Sequence, residues 1–119
     1  MQGQTASITI VVGPGDTATA FGSGDVEVLA TPRIVALVEG AAVAAIRGLL
    51  PAESTSVGTR IDLKHVAPSP IGSEVTAGAT VLSVQGRKIH FAVEARMDGD
   101  IVATGSHDRA IVARADFQG

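Results

Sequence analysis

The chain has no cysteine, no tryptophan and no tyrosine, and aromatic residues make up only 3% of it. The missing thiols exclude disulfides, a cysteine nucleophile and thiolate metal sites, and they fit a reducing compartment, so a cytoplasmic location is expected. The missing aromatics leave Val, Ile, Leu and Ala to build the core. Positive charge is scarce as well: 9 Lys and Arg against 12 Asp and Glu leave a net charge of −3, with no basic run. With neither a basic surface nor stacking residues, no nucleic-acid partner is expected. A long hydrophobic run is also lacking. The most apolar segment, Ile34 to Leu50, is shorter than the roughly 20 residues a bilayer span needs and contains Glu39 and Arg47. Met1-Gln2-Gly3-Gln4 has neither the basic nor the apolar region of a secretory signal, so no membrane association is expected. The histidines are scattered, and no metal site is expected.

What remains is a globular composition, 45% apolar and 18% charged over 119 residues, which suits one domain spanning residues 1–119 with a single core. Ser7 to Val12 is β-branched and reads as a strand ended by Gly13-Pro14-Gly15. Residues 13 to 28 are Gly-rich and acidic, an irregular connection with a helical piece around Ala18 to Phe21. Thr31-Pro32 signals a helix start, with Thr31 as cap, and the helix is expected to reach about Gly48, before Pro51. Its residues are small and apolar nearly all round, the mark of a core helix. After Ser54 the period changes to two. Val57, Thr59, Ile61, Leu63 and His65 fall on one strand face, and Arg60, Asp62 and Lys64 on the other. Strands over Glu74–Gln85, Lys88–Met97 and about Ile101–Ala113 follow, with Asp98-Gly99 as a hairpin turn. The expected fold class is therefore α+β: an antiparallel sheet of about five strands wrapped around one central helix. One helix covers one sheet face over a limited length, so a homodimer is expected, with further pairing into a tetramer left open.

Glu39 is the only ionisable residue between Ile34 and Ile46. A carboxylate in such a setting is paired, hydrated in a pocket or protonated. His65 shares a strand face with Ile61 and Leu63, which turns it toward the helix, where an imidazole can meet the carboxylate directly or through water. Thr31 and Glu39 are eight residues apart, about 12 Å along the axis, and both can border one groove.

Several stretches together resemble the fluoroacetyl-CoA thioesterase family of hot-dog-fold proteins. These are Ala30-Thr31-Pro32 with Glu39, Ser56-Val57-Gly58-Thr59 with His65-Val66-Ala67-Pro68-Ser69-Pro70-Ile71-Gly72, Val84-Gln85-Gly86-Arg87, and Gly105-Ser106-His107-Asp108-Arg109. The resemblance covers roughly residues 25 to 117. It implies a hot-dog fold, a catalytic triad of Thr31, Glu39 and His65, and substrate-binding roles for Gly58 and Arg109. It also implies an acyl-CoA thioesterase that needs no cofactor beyond the coenzyme A of its substrate, with the site near a dimer interface. The residues just before Thr31 depart from the aromatic lid of the fluoroacetate-specific enzyme. Gly22 to Leu29 holds no aromatic and only Phe21 is near, so a different acyl group is expected.

Structural readings stand beside these. Glu39 can pair with Arg33, Arg47 or an arginine of a partner; His65 can be a core histidine; Thr31 can serve only as a cap; Arg109 can make a structural ion pair. His107 is expected to make a structural hydrogen bond and His90 to be solvated. The alternative to an enzyme is a non-catalytic acyl-CoA or acyl-carrier binding dimer using the same groove. Glu39 as general base and Glu39 as nucleophile are both open.

Overall fold

The structure, a computed structural model, describes residues 1–117; residues 118–119 of the expected domain lie outside the described residues. Strand β1 (Thr5–Val11) leads through a turn at Pro14–Asp16 and a short helix α1 (Ala18–Phe21) to the main helix α2 (Thr31–Ala45). Four strands follow: β2 (Ser54–His65), β3 (Glu74–Gln85), β4 (Lys88–Met97) and β5 (Asp100–Ala113). They form one antiparallel sheet in the order β1-β3-β4-β5-β2, with β1 and β2 as edges.

Local sequence explains most boundaries. Thr17 caps α1 by accepting a hydrogen bond from the backbone N–H of Ala20. Asp98 and Gly99 both have positive φ, the geometry that a two-residue hairpin requires. The main helix ends at Ala45 and not at Gly48: the chain leaves helical geometry at Ile46, and Gly48 has a φ of +78°. The cap also differs from expectation. Ala30 is the N-cap and Thr31 the first helical residue, because the Ala30 carbonyl already receives the N–H groups of Arg33 and Ile34.

The core lies between one face of α2 and the concave face of the sheet. Ile34, Leu37, Val38, Ala41, Ala42 and Ala45 form the buried helix face, packed chiefly on β1 and β3. The helix is not buried all round. Ala36 and Val43 are exposed and Glu39, between them, is partly exposed.

The expected alternation along β2 breaks at a β-bulge. Gly58 pairs with Arg109 and Arg60 with Asp108, leaving Thr59 as the extra residue. Ile61, Leu63 and His65 therefore share their face with Gly58 and Ser56, not with Val57 and Thr59. Gly105, opposite Leu63, has no room for a side chain: a Cβ there would lie 1.8 Å from the Asp62 carbonyl oxygen.

On the outer sheet face, His90 is not merely solvated. Its Nδ1 lies 2.5 Å from Asp108 Oδ1, and the Asp108 side chain is 11% exposed. The His90 hydrogen bond holds the Asp108 carboxyl below its ordinary value; burial opposes this, and the charges of His90, Lys88 and Arg60 assist it. A carboxyl depressed in the fold stabilises fully above its unfolded value and loses that contribution as pH falls through the folded value. Asp108→Asn should therefore cost about 1 kcal/mol near neutral pH, with the gap to wild type closing in acid. Urea unfolding at a series of pH values measures this, and a gap that stays constant into strong acid contradicts it.

Candidate active site

Two groups of polar side chains sit on the concave side of β2, one toward each end. The first joins the start of α2 to the end of β2. Asp16 anchors the helix start: its backbone carbonyl accepts the Ala30 N–H, and its carboxylate accepts from the Gly13 N–H and from Arg33 Nε at 2.8 Å. These hydrogen bonds, that from the Gly13 backbone foremost, lower the Asp16 pKa. Thr31, freed from capping, places its Oγ1 2.8 Å from His65 Nδ1. The other imidazole nitrogen, Nε2, is buried and has no hydrogen-bond partner among the described residues. His65 also borders a shallow pocket of about 210 Å³, together with Val28, Val66, Ala67 and Pro68.

The second group surrounds Glu39. Its Oε2 lies 3.4 Å from Arg109 Nη1 and 3.9 Å from His107 Nε2. Gly58 makes the seat, since a Cβ there would lie 2.5 Å from the same oxygen. Arg109 is 7% exposed and is held by Ser56, donating from Nε to Ser56 Oγ at 2.9 Å and from Nη2 to the Ser56 carbonyl at 3.1 Å. Burial lowers the Arg109 pKa, and the charge and hydrogen bond of Glu39 oppose that shift. The Glu39 side chain is itself 40% exposed and opens on a pocket of about 220 Å³ bordered by Gly58, Thr59, Arg60, Ile61 and His107.

Glu39 and His65 are thus not neighbours in the protomer. Thr31 and Glu39 are about 12 Å apart along α2, and Gly58 and His65 roughly 20 Å apart along β2. The ion-pair partner of Glu39 is Arg109, not Arg33 or Arg47. Arg109 spends its donors on Ser56, His107 and Glu39, so the guanidinium braces the carboxylate from within. His107 makes the expected structural hydrogen bond, Nδ1 to the Arg60 carbonyl at 2.7 Å, but it also borders Glu39. The signal for this was present: positions 107 and 109 are two apart on a strand and must share a face. Among the described residues no cluster of His, Asp and Glu suits a metal ion, and no helix is long and apolar enough to cross a membrane.

Residues 12–115 match the family described as fluoroacetyl-CoA-specific thioesterase. The chain belongs to this family. It is 38% identical over 91 residues to the fluoroacetyl-CoA thioesterase of Streptantibioticus cattleyicolor, an alignment covering 76% of this chain and 66% of that relative. A variant of the fluoroacetyl-CoA-specific thioesterase FlK, solved with fluoroacetate and CoA, superposes with a TM-score of 0.89 at 31% identity, covering 99% of each chain. A hot-dog-like protein from Thermanaerovibrio acidaminovorans superposes with a TM-score of 0.88 at 27% identity, covering 98% of this chain and 86% of that one. The fold is the hot-dog fold, and the family is one of thioester hydrolases.

Proposed function

We propose that this family member hydrolyses a small acyl-CoA to the free acid and the CoA thiol, with Thr31, Glu39 and His65 as catalytic residues in a site completed between two copies of the chain. The observation that carries the reading is the Glu39 carboxylate. It is tethered through one oxygen to a buried arginine, seated on a glycine, and open to a pocket. Arg109 engages only Oε2, so the second carboxylate oxygen is available to a water molecule.

In the reaction, Glu39 takes a proton from water as the water oxygen attacks the thioester carbonyl. The tetrahedral oxyanion collapses, the C–S bond breaks, and His65 gives a proton to the departing sulfur from Nε2. Solvent then returns a proton from Glu39 to His65. Thr31 holds the imidazole by its Nδ1. Direct attack by Glu39, through an anhydride that water then cleaves, uses the same groups.

Support for a second copy comes from β2. It is a 12-residue edge strand with Ile61 exposed at its middle, and such an edge is a template for pairing. Antiparallel pairing of two β2 strands about Ile61 sets Arg60 opposite Asp62 of the second copy, a favourable cross-strand charge pair. The same twofold exchanges strand ends, bringing His65 of one copy alongside the Gly58 and Glu39 end of the other. The absence of cysteine supports a cytoplasmic setting.

A panel of acyl-CoAs with a thiol reagent tests the reading. Release is expected for short acyl groups and should fall as the chain lengthens. Fluoroacetyl-CoA is expected to have no large advantage over acetyl-CoA, because Val28, not an aromatic, stands beside the His65 pocket. Saturable binding of acyl-CoA with no thiol release across the panel would make the protein a binding module instead.

A further inference from the structure

We propose that His107 is a positioning residue for the reaction: as a neutral acceptor it holds Arg109 so that the guanidinium engages one oxygen of Glu39 and leaves the other to the reacting water. The inference rests on the role given above to Glu39. His107 is 1% exposed, and its ring stacks on Phe91 with centroids 5.9 Å apart and planes at 28°. Nδ1 lies 2.7 Å from the Arg60 carbonyl oxygen, which only accepts, so Nδ1 carries the proton. Nε2 lies 3.2 Å from Arg109 Nη1, and a guanidinium only donates, so Nε2 presents its lone pair. Together these bonds assign the neutral imidazole protonated at Nδ1.

Arg109 Nη1 has two hydrogens, and the geometry divides them between His107 Nε2 and Glu39 Oε2. Ser56 takes Nε and Nη2. The guanidinium is thereby fixed edge-on to Glu39, short of the two-oxygen grip that Arg and carboxylate otherwise favour. Removing the Nε2 acceptor leaves a buried N–H without a partner. The nearest acceptor left to it is the Glu39 carboxylate, whose second oxygen is then occupied and lost to catalysis.

Three variants test this in the short-chain acyl-CoA assay. His107→Phe keeps the ring and its stack on Phe91 but removes the acceptor; kcat is expected to fall about tenfold or more with KM within about twofold. His107→Gln offers an amide oxygen to Arg109 Nη1 and is expected to recover most of that loss. Glu39→Gln is the separate control on the underlying reading. Wild-type kcat in His107→Phe, or an effect confined to KM, overturns the proposal. If His107→Phe does not fold, His107→Gln decides alone: a fall of about tenfold or more in its kcat overturns the proposal. Wild-type kcat in Glu39→Gln overturns the role of Glu39 itself, whatever the His107 variants do.

Discussion

Glu39→Gln and His65→Ala proteins, each expected to lose thiol release by about 100-fold or more, should recover about a quarter of wild-type activity when unfolded together and refolded as an equal mixture. The expectation follows from where the two groups sit. Thr31 bonds His65 at one end of β2, while Glu39 rests on Gly58 toward the other. If a twofold dimer joins opposite ends, a mixed dimer has one site with both residues intact and one with neither. Statistical mixing makes about half of the dimers mixed, and half of their sites work. Gln is chosen at position 39 because its amide oxygen can still accept a hydrogen bond from Arg109 Nη1, whereas Ala removes that acceptor from a buried donor. The measurement is activity against mixing ratio, with dimer exchange followed by a mass tag. Mixed dimers that form and show no activity above the parents would mean that the two residues do not share a site across the interface.

Gly58→Ala should lower kcat by about 100-fold while the protein stays folded. An alanine Cβ would lie 2.5 Å from Glu39 Oε2, 3.2 Å from His107 Cε1 and 3.4 Å from Arg109 Nη1. The first contact is far too close, but the atom it strikes is the tip of a flexible, half-exposed side chain. Glu39 can swing away into the pocket, so stability should drop by no more than about 1–2 kcal/mol. Catalysis is less forgiving, because the carboxylate then loses both its seat and its hold on Arg109. Steady-state kinetics together with thermal unfolding separate the two effects. Normal kcat in a folded Gly58→Ala protein would show that the carboxylate works from another position.

Much of the architecture is readable from local chemistry. Pro32 at the helix start, Asp98-Gly99 between two alternating runs, and the prolines after His65 act through backbone geometry within a few residues, so they mark their elements wherever the chain goes. Other features are not local. The Thr59 bulge depends on how β2 registers with β5, and it moves Val57 and Thr59 off the face of Ile61 without changing the composition of the strand. The cap at Ala30 depends on a backbone contact with Asp16, and that spares the Thr31 hydroxyl for His65. His107 and Arg109 share a face by sequence spacing alone, yet nothing in that spacing says which carboxylate they meet.

By itself, then, the sequence determined the α+β class, the order of the elements, and Thr31, Glu39 and His65 as the residues to watch. Periodicity, turn residues and a lone acid among aliphatics are short-range signals. Only the tertiary structure decided that Glu39 is braced by Arg109 and His107 and that His65 pairs with Thr31 at the far end of the strand. The physical reason is that hydrogen-bond partners and ion pairs are chosen by distance in space, and here the chosen partners lie 34 and 70 residues apart along the chain.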